Sequence, residues 1–108
     1  MSLSELMKVV VYVQESHADM VRKAMIEAGA GKFEKYTGCS FSVKGIGRFK
    51  PKKGASPTVG EIGKNEEVLE ERIETVCRRS IIKDVIEAIK KVHPYEEIAY
   101  DVYPREEI

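Results

Sequence analysis

In the β-branched stretch Lys8 to Val13, KVVVYV, the residues from Val9 on are apolar at successive rather than alternate positions. A β-branched run of that kind is too short for a helix and needs cover on both faces, so it has to lie in the middle of a sheet. A helix follows at once. Ser16 reads as its N-cap with Asp19 three positions on, and Val21, Ala24, Met25 and Ala28 recur at helical spacing before Gly29 closes it.

The same pairing returns near the C-terminus in the opposite order, helix before strand. From Ser80 as N-cap, Ile82, Val85, Ile86 and Ile89 form an apolar stripe that ends in Lys90 and Lys91, cations suited to a helix C-terminus, and Pro94 forbids continuation. Beyond it Ile98, Tyr100 and Val102 alternate with Glu97, Ala99 and Asp101, the pattern of a strand. Between the two helices, Cys39, Phe41 and Val43 alternate with Ser40 and Ser42 as another strand. The stretch Lys44–Lys64, rich in Gly, Pro and Lys, is read as a long loop or an extended hairpin. Val68–Val76 carries glutamates that favour a helix, but the glycines before it and the fresh helix start at Ser80 make it a strand.

The resulting order, β-α-β-β-α-β, predicts an α+β, ferredoxin-like split β-α-β sandwich with two helices on one face of a four-stranded antiparallel sheet. With 108 residues the chain is read as one domain over 1–108, with 1–6 and 105–108 as flexible tails. The uncovered sheet face favours self-association, so a homo-oligomer, dimer or trimer, is expected.

Charge excludes several functions. Eighteen basic residues balance eighteen acidic ones, leaving no field for a polyanion or a membrane surface, so nucleic acid and membrane are not expected partners. The longest apolar run, Val9–Val13, is far short of the roughly 20 residues needed to span a bilayer. Met1–Met7 lacks a basic start and an apolar core, and a cytoplasmic location is the expectation. Cys39 and Cys77 lack metal-type spacing and read as small apolar side chains in a reducing compartment.

Two stretches carry chemistry. In VHPYEE, His93 with Glu96 and Glu97 offers imidazole and carboxylates, the ingredients of a divalent-metal site or a proton-transfer pair. One histidine and two glutamates are too few for a closed zinc site. The bland reading is a joint: His93 bonds the last helical carbonyls, Pro94 stops the helix, and Tyr95 packs with a polar tip. In GIGRFKPKKGASPTVGEIG, Arg48, Lys50, Lys52 and Lys53 stand among glycines, the ingredients of an anion site, although the spacing is not that of a P-loop. His17, at the first helical position, reads as a solvated side chain unless the fold brings it to His93. The acidic residues Glu66, Glu67, Glu70, Glu71 and Glu74 with Arg72 read as a charged surface.

Three segments, AGAGKFEKYTGCSF, GIGRFKPKKGASPTVGEIGKNEEVLEERIE and HPYEEIAYDVYP, resemble in order the YqfO-like domain. This is a PII-like or CutA-like module inserted into bacterial members of the Nif-three family. The resemblance covers about Met7 to Pro104. It implies a ferredoxin-like fold akin to CutA and PII signalling proteins, and a strand at Val68–Val76. That family's metal core, sometimes described as a GTP cyclohydrolase type, uses several histidines and carboxylates, whereas this chain has only His17 and His93, so the core's function does not transfer. The chain departs from the usual pattern at Lys32, Glu34 and Gly38, and no ligand contact is carried over to those positions.

The reading is therefore a non-enzymatic, oligomeric binding or regulatory module with no catalytic residues, taking a small anion or nucleotide, or a protein partner. The alternative is a metal-dependent hydrolase whose divalent-metal site is completed between subunits around His93, Glu96 and Glu97.

Overall fold

The computed structural model describes residues 5–106. The expected tail residues 1–4 and 107–108 lie outside that range, whereas Leu6 already belongs to the first strand. The elements are β1 (Leu6–Gln14), α1 (Ala18–Glu27), β2 (Phe41–Phe49), β3 (Glu66–Arg78), α2 (Ile82–Val92) and β4 (Tyr100–Pro104). The strands form one sheet in the order β2-β3-β1-β4, all antiparallel. This is the expected sandwich.

The unbroken apolar run of β1 does what it required, pairing with β3 on one side and β4 on the other. Val9, Val11 and Val13 point to the helices and are fully buried with Ile73 of β3, Val21 and Met25 of α1, and Val85 and Ile89 of α2. Each such side chain contributes roughly 1.5–3 kcal/mol on burial. Pairing register places Lys8, Val10 and Tyr12 on the opposite face with Phe41, Val43, Arg72, Glu74 and Tyr103. Among the described residues no helix covers this face, and Phe41 and Val43 stay 63% and 48% exposed. Over Val10, which is buried, the neighbouring positions carry a Lys8–Glu74 ion pair at 3.6 Å and an Arg72 guanidinium 5.7 Å from the Tyr12 ring.

The strand at β3 confirms tertiary pairing over local propensity. Its glutamates favour a helix in isolation, but the segment lies between β1 and β2, and Glu71, Ile73, Thr75 and Cys77 are buried in strict alternation. Of the two readings left open for Lys44–Lys64, the hairpin holds through Phe49 and an irregular loop follows from residue 50 to 65. The strand therefore extends beyond the expected Val43, because the long β3 supplies partners for Gly45, Ile46 and Gly47 that local pattern does not reveal.

Both serine caps differ from expectation. A 3-10 turn at Glu15–His17 leads into α1 and another at Arg79–Ile81 into α2, and neither helix has a side-chain cap. The turns themselves satisfy the first amides, with Ala18 N–H donating to Glu15 O and Ile82 N–H to Arg79 O. Ser16 Oγ instead shares a hydrogen bond with His17 Nδ1 at 2.9 Å.

The charged-surface reading fails at one residue. Glu71 faces the helices, is only 8% exposed, and accepts from the Arg22 guanidinium of α1, which also reaches Asp19 and Ser42. Strand alternation turns it inward while Glu70 and Arg72 go to the open face.

Candidate functional site: a cleft between loop and joint

The joint after α2 is the hub of the site. His93 is the C-cap, and its backbone N–H donates to Ile89 O at 2.9 Å. Its ring does not reach helix carbonyls, as the capping reading had it. It crosses instead to β1. Tyr95 N–H donates to Nδ1 at 3.2 Å, which leaves the proton on Nε2, and Nε2–H donates to Tyr12 O at 2.8 Å. Burial holds the imidazole below its ordinary range and a weaker repulsion from His17 adds to this, against the opposing pull of Tyr12 O and Glu70. The half-buried His17 is thus brought within electrostatic reach of His93.

Tyr95 carries the hub onward. Its ring lies edge-on to His93, with centroids 5.0 Å apart, and 6.5 Å from Phe49 of β2. Its hydroxyl donates to Glu70 Oε2 of β3 at 2.9 Å. Burial and that carboxylate push the phenol well above its usual range, so it stays a donor. Glu70 lies over the bare backbone of Gly47, where a methyl group would sit 1.9 Å from Oε1.

The loop folds back onto the same joint. Ser56 N–H donates to Glu96 Oε1 at 2.8 Å and Thr58 Oγ1 to Pro94 O at 2.6 Å, while Gly63 N–H donates to Pro51 O at 2.7 Å and closes the loop on itself. Between loop and joint lies a cleft of about 730 Å³. Arg48, Lys50, Lys52 and Lys53 line it together with Phe49, Pro51, Tyr95, Glu96 and Glu97.

The two candidate sites of the sequence therefore share one cleft, except for His93, which is not on its wall. Arg48 is paired with Glu67 at 3.4 Å, whereas Lys50, Lys52 and Lys53 form no ion pair among the described residues. Among the described residues no three His, Cys, Asp or Glu side chains cluster as a metal site. Sequence reasoning missed Glu70, Ser56 and Thr58. Tyr95 was visible as a polar-tipped anchor, but its partner was not, because the contact spans 25 positions.

The chain is 51% identical over 102 residues to a GTP cyclohydrolase 1 type 2 homolog of Bacillus subtilis, a match covering 94% of this chain and 27% of that protein. A homolog of the same name from Halalkalibacterium halodurans is 46% identical over 99 residues, 92% of this chain and 27% of the relative. The crystal structure of a Bacillus cereus protein related to NIF3 superposes with a TM-score of 0.84 at 45% identity, over 99% of this chain and 27% of that one. This chain is similar to one part of those NIF3-related proteins. It spans about a quarter of the length of those relatives, and no protein-family model matches it. CutA of Archaeoglobus fulgidus shares the fold, with a TM-score of 0.69 at 16% identity, over 94% of this chain and 85% of that one. The CutA-like fold implied by the three motifs is thus present. No helix among the described residues of this chain is long and apolar enough to cross a membrane.

The His93 joint has a pH signature. Its folded-state pKa is depressed, so the folded state prefers the neutral ring, and the unfolded chain takes up the proton first as pH falls. This stabilisation is complete above the unfolded value of about 6.5 and is lost as pH falls through the lower folded value. His93→Asn is expected to cost about 1 kcal/mol at pH 7.5, the size of a lost hydrogen bond. The difference between wild type and variant should shrink below about pH 6.5, as read by urea denaturation across the range. A gap that stays constant into acid, or a metal-dependent melting shift that His93→Asn abolishes, would contradict the neutral-joint role.

Proposed function

We propose that this chain is a non-enzymatic binding domain that self-associates through its open sheet face and holds a small anion in the cleft between loop and joint. The observation that carries this reading is the convergence of Lys50, Lys52 and Lys53, without ion pairs among the described residues, on a cleft walled by Phe49, Pro51 and Tyr95. Cations held beside apolar walls attract an anion more strongly than cations in open water. Hydrogen bonds from Ser56, Thr58 and Gly63 fasten the loop that walls the cleft.

The assembly half rests on the open face. Phe41, Val43 and Tyr103 are exposed there beside Lys8, Arg72, Glu74 and Asp101, so apolar side chains and both signs of charge lie together. Such a face matches a second copy of itself better than a polyanion or a membrane. A dimer or trimer is the assembly proposed.

Hydrogen exchange with light scattering tests both halves. Inorganic phosphate is expected to slow exchange of the Gly45–Gly63 amides, with the protection weakening as salt rises. The mass in solution at micromolar concentration is expected to be that of two or three chains. Unchanged exchange at saturating phosphate would remove the anion site, and a monomeric mass would remove the assembly.

A further inference from the structure

The cleft is not uniformly basic. Glu96 and Glu97 line it with Lys50, Lys52 and Lys53, and no ion pair joins the two sets. Glu96 is oriented by the Ser56 amide, and Glu97 has no hydrogen bond or ion-pair partner among the described residues. Glu70 lines the cleft as well, held by the Tyr95 hydroxyl, and a cleft built for a simple anion gains nothing from three carboxylates on its wall, since each repels the ligand. Opposite charges that line one cleft without pairing with each other instead complement a molecule carrying both signs. Phe49 and Tyr95 line the same cleft with aromatic surface, their ring centroids 6.5 Å apart.

Resting on the anion-cleft reading above, we infer that the ligand is dipolar: a small molecule with a phosphate or carboxylate at one end, a protonated amine at the other, and a flat apolar body between. The anionic end meets Lys50, Lys52 and Lys53, the body lies against Phe49 and Tyr95, and the amine meets Glu97.

The deciding property is the sign of one substitution. Phenyl phosphate and 4-(aminomethyl)phenyl phosphate are alike except for the amine, and calorimetric titration compares them on wild type and on Glu97→Gln. The aminated probe is expected to bind about five-fold tighter to wild type, which corresponds to about 1 kcal/mol. Glu97→Gln should remove most of that preference, and because Glu97 is exposed the fold is not at risk. Lys52→Ala with Lys53→Ala should weaken both probes together. Equal binding of the probes to wild type, or tighter binding of both to Glu97→Gln, would overturn the dipolar reading and leave a plain anion cleft. Failure of both probes to bind, together with no protection by phosphate, would remove the anion cleft itself and this inference with it.

Discussion

Gly31→Ala is expected to lower the stability of the fold by about 3 kcal/mol, the combined cost of a left-handed backbone and a steric overlap. Gly31 has φ +71°, a region disfavoured for side chains, and an added methyl group would lie 2.4 Å from Cys39 O and 2.8 Å from Cys39 N. Those are backbone atoms that cannot swing aside. They are also fixed in place: Gly31 N–H donates to Val76 O at 2.8 Å, and Cys39 N–H donates to Gly31 O at 3.0 Å. This pair of bonds ties the connection between α1 and β2 to the end of β3. The control is Gly54→Ala in the loop, where φ is +101° but nothing lies within 4 Å. It should lose only the conformational part, about 1 kcal/mol. Chemical denaturation of both variants checks this, and equal losses would show that the close approach to Cys39 contributes nothing.

The second large effect belongs to the inward ion pair. Arg22→Met is expected to cost about 3 kcal/mol, because it leaves the Glu71 carboxylate buried without the cation that faces it. The reverse change, Glu71→Met, should cost less. Arg22 retains Asp19 and Ser42 as partners and its side chain is 26% exposed, so water shares in its solvation. Replacing both with methionine should recover most of the Arg22→Met loss, since two thioether side chains fill the space without a charge to solvate. A double-mutant cycle measures the coupling. Additive losses would mean that the two side chains do not act as a pair.

Glu71 also shows why the sequence reading went astray there. In EEVLEERIETVC every second residue turns to one face, and the glutamates fall on both. Nothing local distinguishes Glu71 from Glu70. What separates them is that α1 lies over one face of the sheet and brings Arg22 with it, a contact across 49 positions. The serine caps were misread for a related reason. Ser16 and Ser80 stand where caps are expected, but each strand runs into its helix through a tight 3-10 turn that already satisfies the first amides.

His93 was read as a capping residue because a local pattern can offer only local partners. Its ring nitrogens are in fact bound by Tyr95, two positions on, and by Tyr12 of β1, 81 positions away. The lysines of the loop and the glutamates of the joint were read as separate sites for the same reason. They share one cleft because Ser56 and Thr58 tie the loop to Glu96 and Pro94, 40 and 36 positions on.

By itself, the sequence determined the kinds and order of the elements. The unbroken run at Val9–Val13 demanded a central strand, two stripes at helical spacing demanded helices, and Gly29 and Pro94 ended them. These follow from period and backbone restriction, which act over a few residues and are written in the order of the side chains. The tertiary structure alone decided the length of β2, the inward turn of Glu71, and the meeting of Lys50, Lys52 and Lys53 with Glu96, Glu97 and Tyr95. Each of these depends on strand register and on which segments pack together, and a one-residue change of register would send every side chain of a strand to the opposite face.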